Sequence, residues 1–245
     1  MIEQGSKEWF LSRLGKFTGS VIGDLMTKGK AKDKLFGDKA MALIYKVASE
    51  RCLLPAYLED DYLWEIYHEQ VSFTNKYMQF GKDNEDFAIE EYEKIKNVTC
   101  EEAPSVQHPT IPTFAASPDR LVNIDGEGIV CEVKCPKPEV FMEYRHKIVD
   151  NESLKAVESK YFYQVQAEMM CCGCKQADFI VFCPFLKPNI HIVRITADEE
   201  VQKEIEYRIS EAEKIIESIL GKKRITNINT SPTGGCQTTS NYEQD

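Results

Sequence analysis

Six residues, Ile129 to Lys134 in the stretch GEGIVCEVKCP, constrain the fold more than any other part of this 245-residue chain. Their side chains alternate as on a β-strand, where neighbours point to opposite faces. Ile129, Cys131 and Val133 make one face wholly apolar. The other begins with Val130 and continues with Glu132 and Lys134, so a strand that reads as core carries two charges on one side. Taking such charges out of water is costly unless something compensates.

The compensation is sought just upstream, in AASPDRLV. Pro118 fixes a bend and Asp119 follows it, at the start of a second strand where a side chain is aimed from a rigid position. Asp119, Glu132 and Lys134 read as PD, twelve intervening residues, then E-x-K. An antiparallel hairpin turning at NIDGEG brings Asp119 and Glu132 together. Two neighbouring carboxylates repel, and a divalent cation is their usual partner. Carboxylate and carbonyl oxygens favour Mg²⁺, with Mn²⁺ as substitute, over zinc. Lys134 then sits where an ammonium orients water or stabilises developing negative charge, an arrangement suited to phosphodiester hydrolysis. The plain alternative is a Glu132–Lys134 salt bridge on a solvated strand, with Asp119 merely starting a turn.

Along the chain, Ser6 caps a helix through Leu14 and Thr18 caps another through Met26. A longer helix is expected over 38–53. From Asn75 to Lys96 the spacing Gly81, Glu85, Ala88, Tyr92 puts four residues on one helical face. Short strands follow at 98–107, 112–116, 119–124 and 128–135, then helices over 138–148 and 153–172. Two more strands, DFIVFCP and NIHIVRIT, precede an amphipathic helix over 198–220 with Val201, Ile205, Ala212, Ile216 and Ile219 as its stripe. The expected fold class is α/β, a mixed sheet flanked by helices, in one domain spanning 1–221. Residues 222–245, polar and without periodicity, read as a disordered tail. The segment 55–73 yields no clear pattern.

Composition narrows the compartment and partners. No run approaches the roughly 20 apolar residues that span a bilayer, and the N-terminus lacks a secretion signal. A soluble, intracellular protein of cytoplasm or nucleus is expected, with no membrane partner. Nine cysteines, an odd number, then favour reduced thiols. The CCGC run at 171–174 together with Cys183 is a weak thiolate-site candidate lacking a regular fourth ligand. A net charge of −10 argues against a broadly basic nucleic-acid-coating surface. A groove can still be locally basic, and Lys28, Lys30, Lys32 and Lys34 are candidate DNA contacts, against the alternative of a solvated loop.

The segments SRLGKFTGS, MQFGKDNEDFAIEEYE, ASPDRLV, CEVKCP and YFYQVQAEMMCCG, in that order, resemble the successive motifs of the lambda exonuclease and YqaJ-type viral recombinase nucleases, within the PD-(D/E)XK superfamily. The resemblance implies a Mg²⁺-dependent 5′-to-3′ exonuclease on linear duplex DNA ends. It also implies a ring-shaped homo-oligomer, a trimer by that likeness, and products suited to a single-strand annealing partner. Position by position it implies Asp119, Glu132 and the Val133 carbonyl as metal ligands, Glu85 as the carboxylate that completes the metal shell or holds a metal-bound water, Lys134 as catalytic lysine and Gln164 as active-site glutamine. Gln166, two residues on, faces elsewhere. Arg13 matches the residue for the terminal 5′-phosphate, a role its planar fork suits, with Ser20 and Ser117 as hydroxyl donors.

Plainer roles stand beside these: a buried ion-paired Glu85, a first-turn Ser20, a turn Ser117 and an exposed Gln164. The sequence departs from the pattern at Gly19, at Arg120 where glycine is usual, and at 55–73. It begins almost at the first motif, so a preceding segment is expected to be missing. Arg120 is read as an altered turn or an extra phosphate contact. An endonuclease or single-strand nuclease of the same superfamily, or a catalytically inactive DNA-end-binding scaffold, are the competing functions.

Overall fold

The computed structural model describes residues 4–31, 34–72 and 75–221, and Lys32 and the tail 222–245 lie outside them. In chain order the elements are α1 (Lys7–Arg13), β1 (Phe17–Thr18), α2 (Gly19–Leu25), α3 (Asp38–Glu50), α4 (Pro55–Glu59), α5 (Asp61–Val71) and α6 (Lys76–Lys96). Then come β2 (Cys100–Glu102), β3 (Val106–Gln107), β4 (Phe114–Ala116), β5 (Arg120–Ile124), β6 (Glu127–Lys134), α7 (Pro138–Lys147) and α8 (Asn151–Val157). The last are α9 (Ser159–Cys172), β7 (Gln176–Phe182), β8 (Ile190–Thr196) and α10 (Glu199–Ile219).

Strand β6 is the hub of the main sheet, ordered β2-β5-β6-β7-β8. It pairs antiparallel with β5 and parallel with β7, and residues 129–133 are all buried. A strand covered on both faces needs apolar residues on both, which is why Val130 interrupts the polar side. Its two faces meet different cores. Ile129, Cys131 and Val133 join Ala88, Ile89 and Tyr92 of α6, whereas Val130 joins a larger cluster with Val165 and Ala167 of α9. Glu132 and Lys134 share the face of Val130, so their charges project toward α9.

The β5–β6 turn uses Asp125 and Gly126, both with positive φ (55° and 87°), as a two-residue hairpin turn requires, and Asn123 Oδ1 accepts the Gly126 N–H at 2.9 Å. The parallel β6–β7 pairing requires a crossover, supplied by α7, α8 and α9. The expected single helix over 153–172 is in fact two. An Asp150–Ser153 capping box starts α8 at Asn151, and the chain leaves helical geometry at Glu158 (φ −140°, ψ 73°) before α9 begins. Gly173, left-handed at φ 67°, ends α9.

Two other expectations need correction. The strand over 98–107 divides around Pro104, which cannot donate to a ladder: β2 joins the main sheet and β3 joins a small one ordered β1-β4-β3. In the segment 55–73, which showed no clear pattern, the described residues form α4 and α5. Pro55 occupies the first turn of α4, and the Asp60 carboxylate accepts the Leu63 N–H at 2.9 Å to cap α5.

On α10 the stripe Val201, Ile205, Ala212 and Ile216 is buried as the periodicity predicts, but Ile219 is exposed, and Arg208 is buried among them. The Arg208 guanidinium donates to the Leu25 and Leu35 carbonyls at 3.0 and 3.1 Å and to Glu204 at 2.7 Å, pinning both ends of the loop that carries the lysines. Replacing Arg208 by Leu leaves these carbonyls unbonded, so urea unfolding should register a loss of about 3 kcal/mol. A loss below about 0.5 kcal/mol would show that water reaches them freely.

Candidate active site

The hairpin aims Asp119. Its register pairs Arg120 with Cys131, which sets Asp119 beside Glu132 at the end of the ladder, and Asp119 Oδ2 accepts the Val133 N–H at 2.7 Å. Glu132 is 1% exposed. Its Oε1 accepts from Gln164 Nε2 at 2.6 Å and from the Lys134 ammonium, which also lies 4.9 Å from the centre of the Tyr161 ring. The Glu132–Lys134 salt bridge is therefore real, but the solvated strand that was its alternative context is not.

Electrostatics bind these groups together. Burial raises the Asp119 pKa well above the carboxylate range, and the Glu132 charge adds to it, outweighing the help from Lys134. Burial acts to lower the Lys134 pKa, yet Glu132 and Asp119 outweigh it and hold the ammonium protonated above its usual value.

Glu85 reaches the same neighbourhood from α6. Burial raises its pKa, Arg120 lowers it and Glu132 raises it further. Arg120 binds Glu85 Oε1 at 3.0 Å, Asp86 Oδ1 at 2.6 Å and the Asp119 carbonyl at 2.6 Å. Arg120, read from the sequence as a candidate phosphate contact, is turned inward to α6 and Asp119. The ion-paired alternative for Glu85 is correct as geometry, and the pair lies beside the Asp119 backbone.

At the other end, α1 and α2 set Arg13 against the turn before Asp119. Arg13 Nη1 donates to Ser117 Oγ at 2.5 Å, Nη2 lies 3.5 Å from Ser20 Oγ, and the guanidinium stacks 4.2 Å from the Trp9 ring centre. Burial draws the Arg13 pKa down to about 10, with Glu168 acting in the opposite direction. Arg13 and Ser20 line a cleft of about 350 Å³ whose far wall includes Trp64 and His68 of α5. The unreadable segment thus forms part of the cleft. A larger cavity, about 550 Å³, borders α3, α4 and α5 and includes none of the carboxylates above. Lys28, Lys30 and Lys34 stand exposed on the α2–α3 loop.

Two residues of α9 change the sequence reading. Gln164 is buried, not exposed, and Gln166 faces elsewhere as expected, clamping Thr196 O and Asp198 N at 2.9 Å each. Glu168 was missed. It is 1% exposed, one helical turn from Gln164, and accepts from Gln164 Nε2 at 3.0 Å. Burial, then Glu132 and Asp119, raise its pKa well above the usual range. The signal was present: i and i+4 share a helix face. Gly19 packs here as well, since a Cβ would come 3.3 Å from the Ala116 Cβ and 3.7 Å from the Glu168 Cγ. Of the CCGC run, Cys171 is buried in the core with Cys183, and burial raises the Cys171 thiol pKa.

Whether this set suits a cation can be judged from its unmet polar atoms. Glu132 Oε2 and Glu168 Oε2 are both buried without a hydrogen-bond partner. By contrast Asp178, equally buried one strand away, receives Tyr92 Oη at 2.6 Å and Arg194 Nε at 2.6 Å on its two oxygens. The fold can satisfy an interior carboxylate, and at the site it leaves oxygens open. Oxygen donors of this kind fit Mg²⁺ or Mn²⁺. Among the described residues no three His, Cys, Asp or Glu side chains close on one point, so a carbonyl and water would complete a shell.

The profile of the YqaJ-like viral recombinase domain matches residues 8–175. The chain belongs to that family. Among solved structures it is similar to the alkaline exonuclease LHK-Exo from Laribacter hongkongensis, with 26% identity, a TM-score of 0.66, and coverage of 89% of this chain and 97% of that one. LHK-Exo in complex with dAMP matches equally. A phage-related exonuclease from Haemophilus somnus 129PT shares the fold at 17% identity and TM-score 0.61, covering 84% and 96%. No curated protein matches. The fold class read from the sequence agrees with these nuclease folds, and among the described residues no helix is long and apolar enough to cross a membrane.

Raised carboxyl pKa values have a stability consequence. Asp119, Glu85 and Glu168 hold protons in the folded chain at pH values where the unfolded chain has released them. Their contribution is complete below about pH 4, the unfolded range, and is lost as pH rises through the higher folded values. With chelator present, melting temperature should fall from pH 5 to pH 8, and Glu168→Gln should flatten that fall. An identical slope in wild type and Glu168→Gln would contradict the assignment.

Proposed function

We propose that the chain is a divalent-cation-dependent 5′-to-3′ exonuclease acting on linear double-stranded DNA in recombination or repair. The observation that carries this reading is the adjacency of two chemistries. A guanidinium fork on Ser117 stands two residues from Asp119, at the edge of the carboxylate and ammonium cluster. A site that holds a terminal phosphate beside a hydrolytic centre cleaves near an end and leaves continuous strands alone.

Asp119, Glu132 and the Val133 carbonyl would hold Mg²⁺ or Mn²⁺, with Glu85 bonding a water of its shell, and the ion would supply phosphoryl polarisation and an activated water. Lys134, held protonated by its two anionic neighbours, places a positive charge where negative charge develops on the phosphate. It acts as an electrostatic group, a positive charge set beside the phosphate. The Gln164 amide, bonded to Glu132 through Nε2, would offer its carbonyl to water. Arg13, with Ser20 and Ser117 beside it, takes the terminal phosphate in a bidentate grip, and its place on Trp9 keeps the fork oriented. The relative LHK-Exo was crystallised with dAMP, a deoxynucleoside monophosphate, and a leaving unit of that class suits a cleft beginning at Arg13.

A ring-shaped homo-oligomer and a single-strand annealing partner belong to the same reading and rest on the family resemblance.

With Mg²⁺ and 5′-phosphorylated linear duplex, the wild type should release mononucleotides from the 5′ strand and leave covalently closed circles intact. Nicking of circles would favour an endonuclease, and binding without turnover an inactive scaffold. Lys134→Ala should lower kcat about 100-fold or more. Arg13→Ala should lower kcat/KM on 5′-phosphorylated ends about 10- to 100-fold and bring it close to that on 5′-hydroxyl ends. An unchanged preference for phosphorylated ends would remove Arg13 from this role.

A further inference from the structure

Glu168 belongs to none of the roles above, yet its carboxyl lies inside the site. Gln164 Nε2 donates to Glu132 Oε1 at 2.6 Å and to Glu168 Oε1 at 3.0 Å, so both hydrogens of one amide nitrogen end on carboxyl oxygens. Flipping that amide would turn its carbonyl toward the two carboxyl oxygens it now serves as donor, and would lose both hydrogen bonds. With Glu132 alone as acceptor, the amide keeps one free hydrogen and can swing about its single bond to that strand. Glu168 removes this freedom because it approaches from the same helix one turn away, where Gly19 and the wall of β4 confine it.

We propose that Glu168 is a positioning residue that, together with Glu132, locks the Gln164 amide so that Gln164 Oε1 faces the attacking water as a hydrogen-bond acceptor. The inference rests on the nuclease reading and deepens it. It assigns no cleavage chemistry to Glu168, which acts only through Gln164. Its Oε2 has no hydrogen-bond partner, and its charge acts on the Arg13 guanidinium.

A purely structural carboxyl and a positioning one separate in a double-mutant cycle on the full chain, with Mg²⁺ and 5′-phosphorylated linear duplex. Removing an outer partner of this kind typically costs about 10- to 100-fold. Glu168→Ala should therefore lower kcat by about that factor, with KM for DNA ends changed less than about 2-fold. In a Gln164→Ala background, where there is no amide to hold, the same substitution should change kcat by less than about 2-fold. Glu168→Gln, which keeps an acceptor oxygen and nearly the same shape, should recover part of the loss, and it replaces Glu168→Ala in both backgrounds if the alanine variant does not fold. Equal losses in both backgrounds, or no loss in the wild type, overturn the proposal. An active wild type with additive losses removes the role of Glu168 alone, whereas a wild type inactive on linear DNA overturns the nuclease reading with it.

Discussion

Everything distinctive in this structure follows from negative charge gathered where water is scarce. The end of β6 and the elements around it bring Glu132, Asp119, Glu85 and Glu168 into mutual electrostatic reach, with Lys134 and Arg120 as the nearby cations. The result is raised carboxyl pKa values and two buried oxygens without partners. Asp178 shows that the same sheet can neutralise and bond a buried carboxylate fully, through Arg194 and Tyr92. The unmet demand at the site is therefore a local property and not a general weakness of the core. Such demand is what a bound cation and a phosphate would satisfy.

The scaffold explains how the demand is tolerated. A central strand paired on both sides cannot shift register without losing both ladders, so Glu132 and Lys134 are held rigidly toward α9. The hairpin turn fixes Asp119 against the Val133 N–H, and the crossover helix delivers Gln164 and Glu168 onto the same face. Arg13 arrives from the first helix and is fastened by Ser117, two residues before Asp119. Arg13 and the carboxylate cluster are thus joined through a few rigid connections, without a long flexible path.

Much of this was legible in the sequence because it depends on short-range rules. The alternation of Ile129 to Lys134 located the central strand, the DG turn located the hairpin, and the face shared by Ala88 and Tyr92 located the packing side of α6. What could not be read required knowledge of neighbours. Nothing local says that Arg120 turns back to Glu85, because an arginine after an aspartate suits a phosphate equally well. Arg208 broke an apolar stripe that periodicity would leave unbroken, since its partners are carbonyls far away in the chain. Glu168 was readable in principle from its spacing to Gln164, but only the approach of β6 reveals that Gln164 links it to Glu132. Helices α4 and α5 escaped because a short helix relies on its caps, and Asp60 was hidden among other acids.

The central claim is that a divalent cation completes the carboxylate cluster between Asp119 and Glu132. Diffraction from crystals soaked in Mn²⁺, recorded where manganese scatters anomalously, tests it most directly. The account predicts an anomalous peak within coordinating distance, roughly 2.0–2.3 Å, of oxygens from both residues, with the Lys134 ammonium moved off Glu132. A map with no peak there, and Lys134 still seated on Glu132 at saturating Mn²⁺, would contradict it.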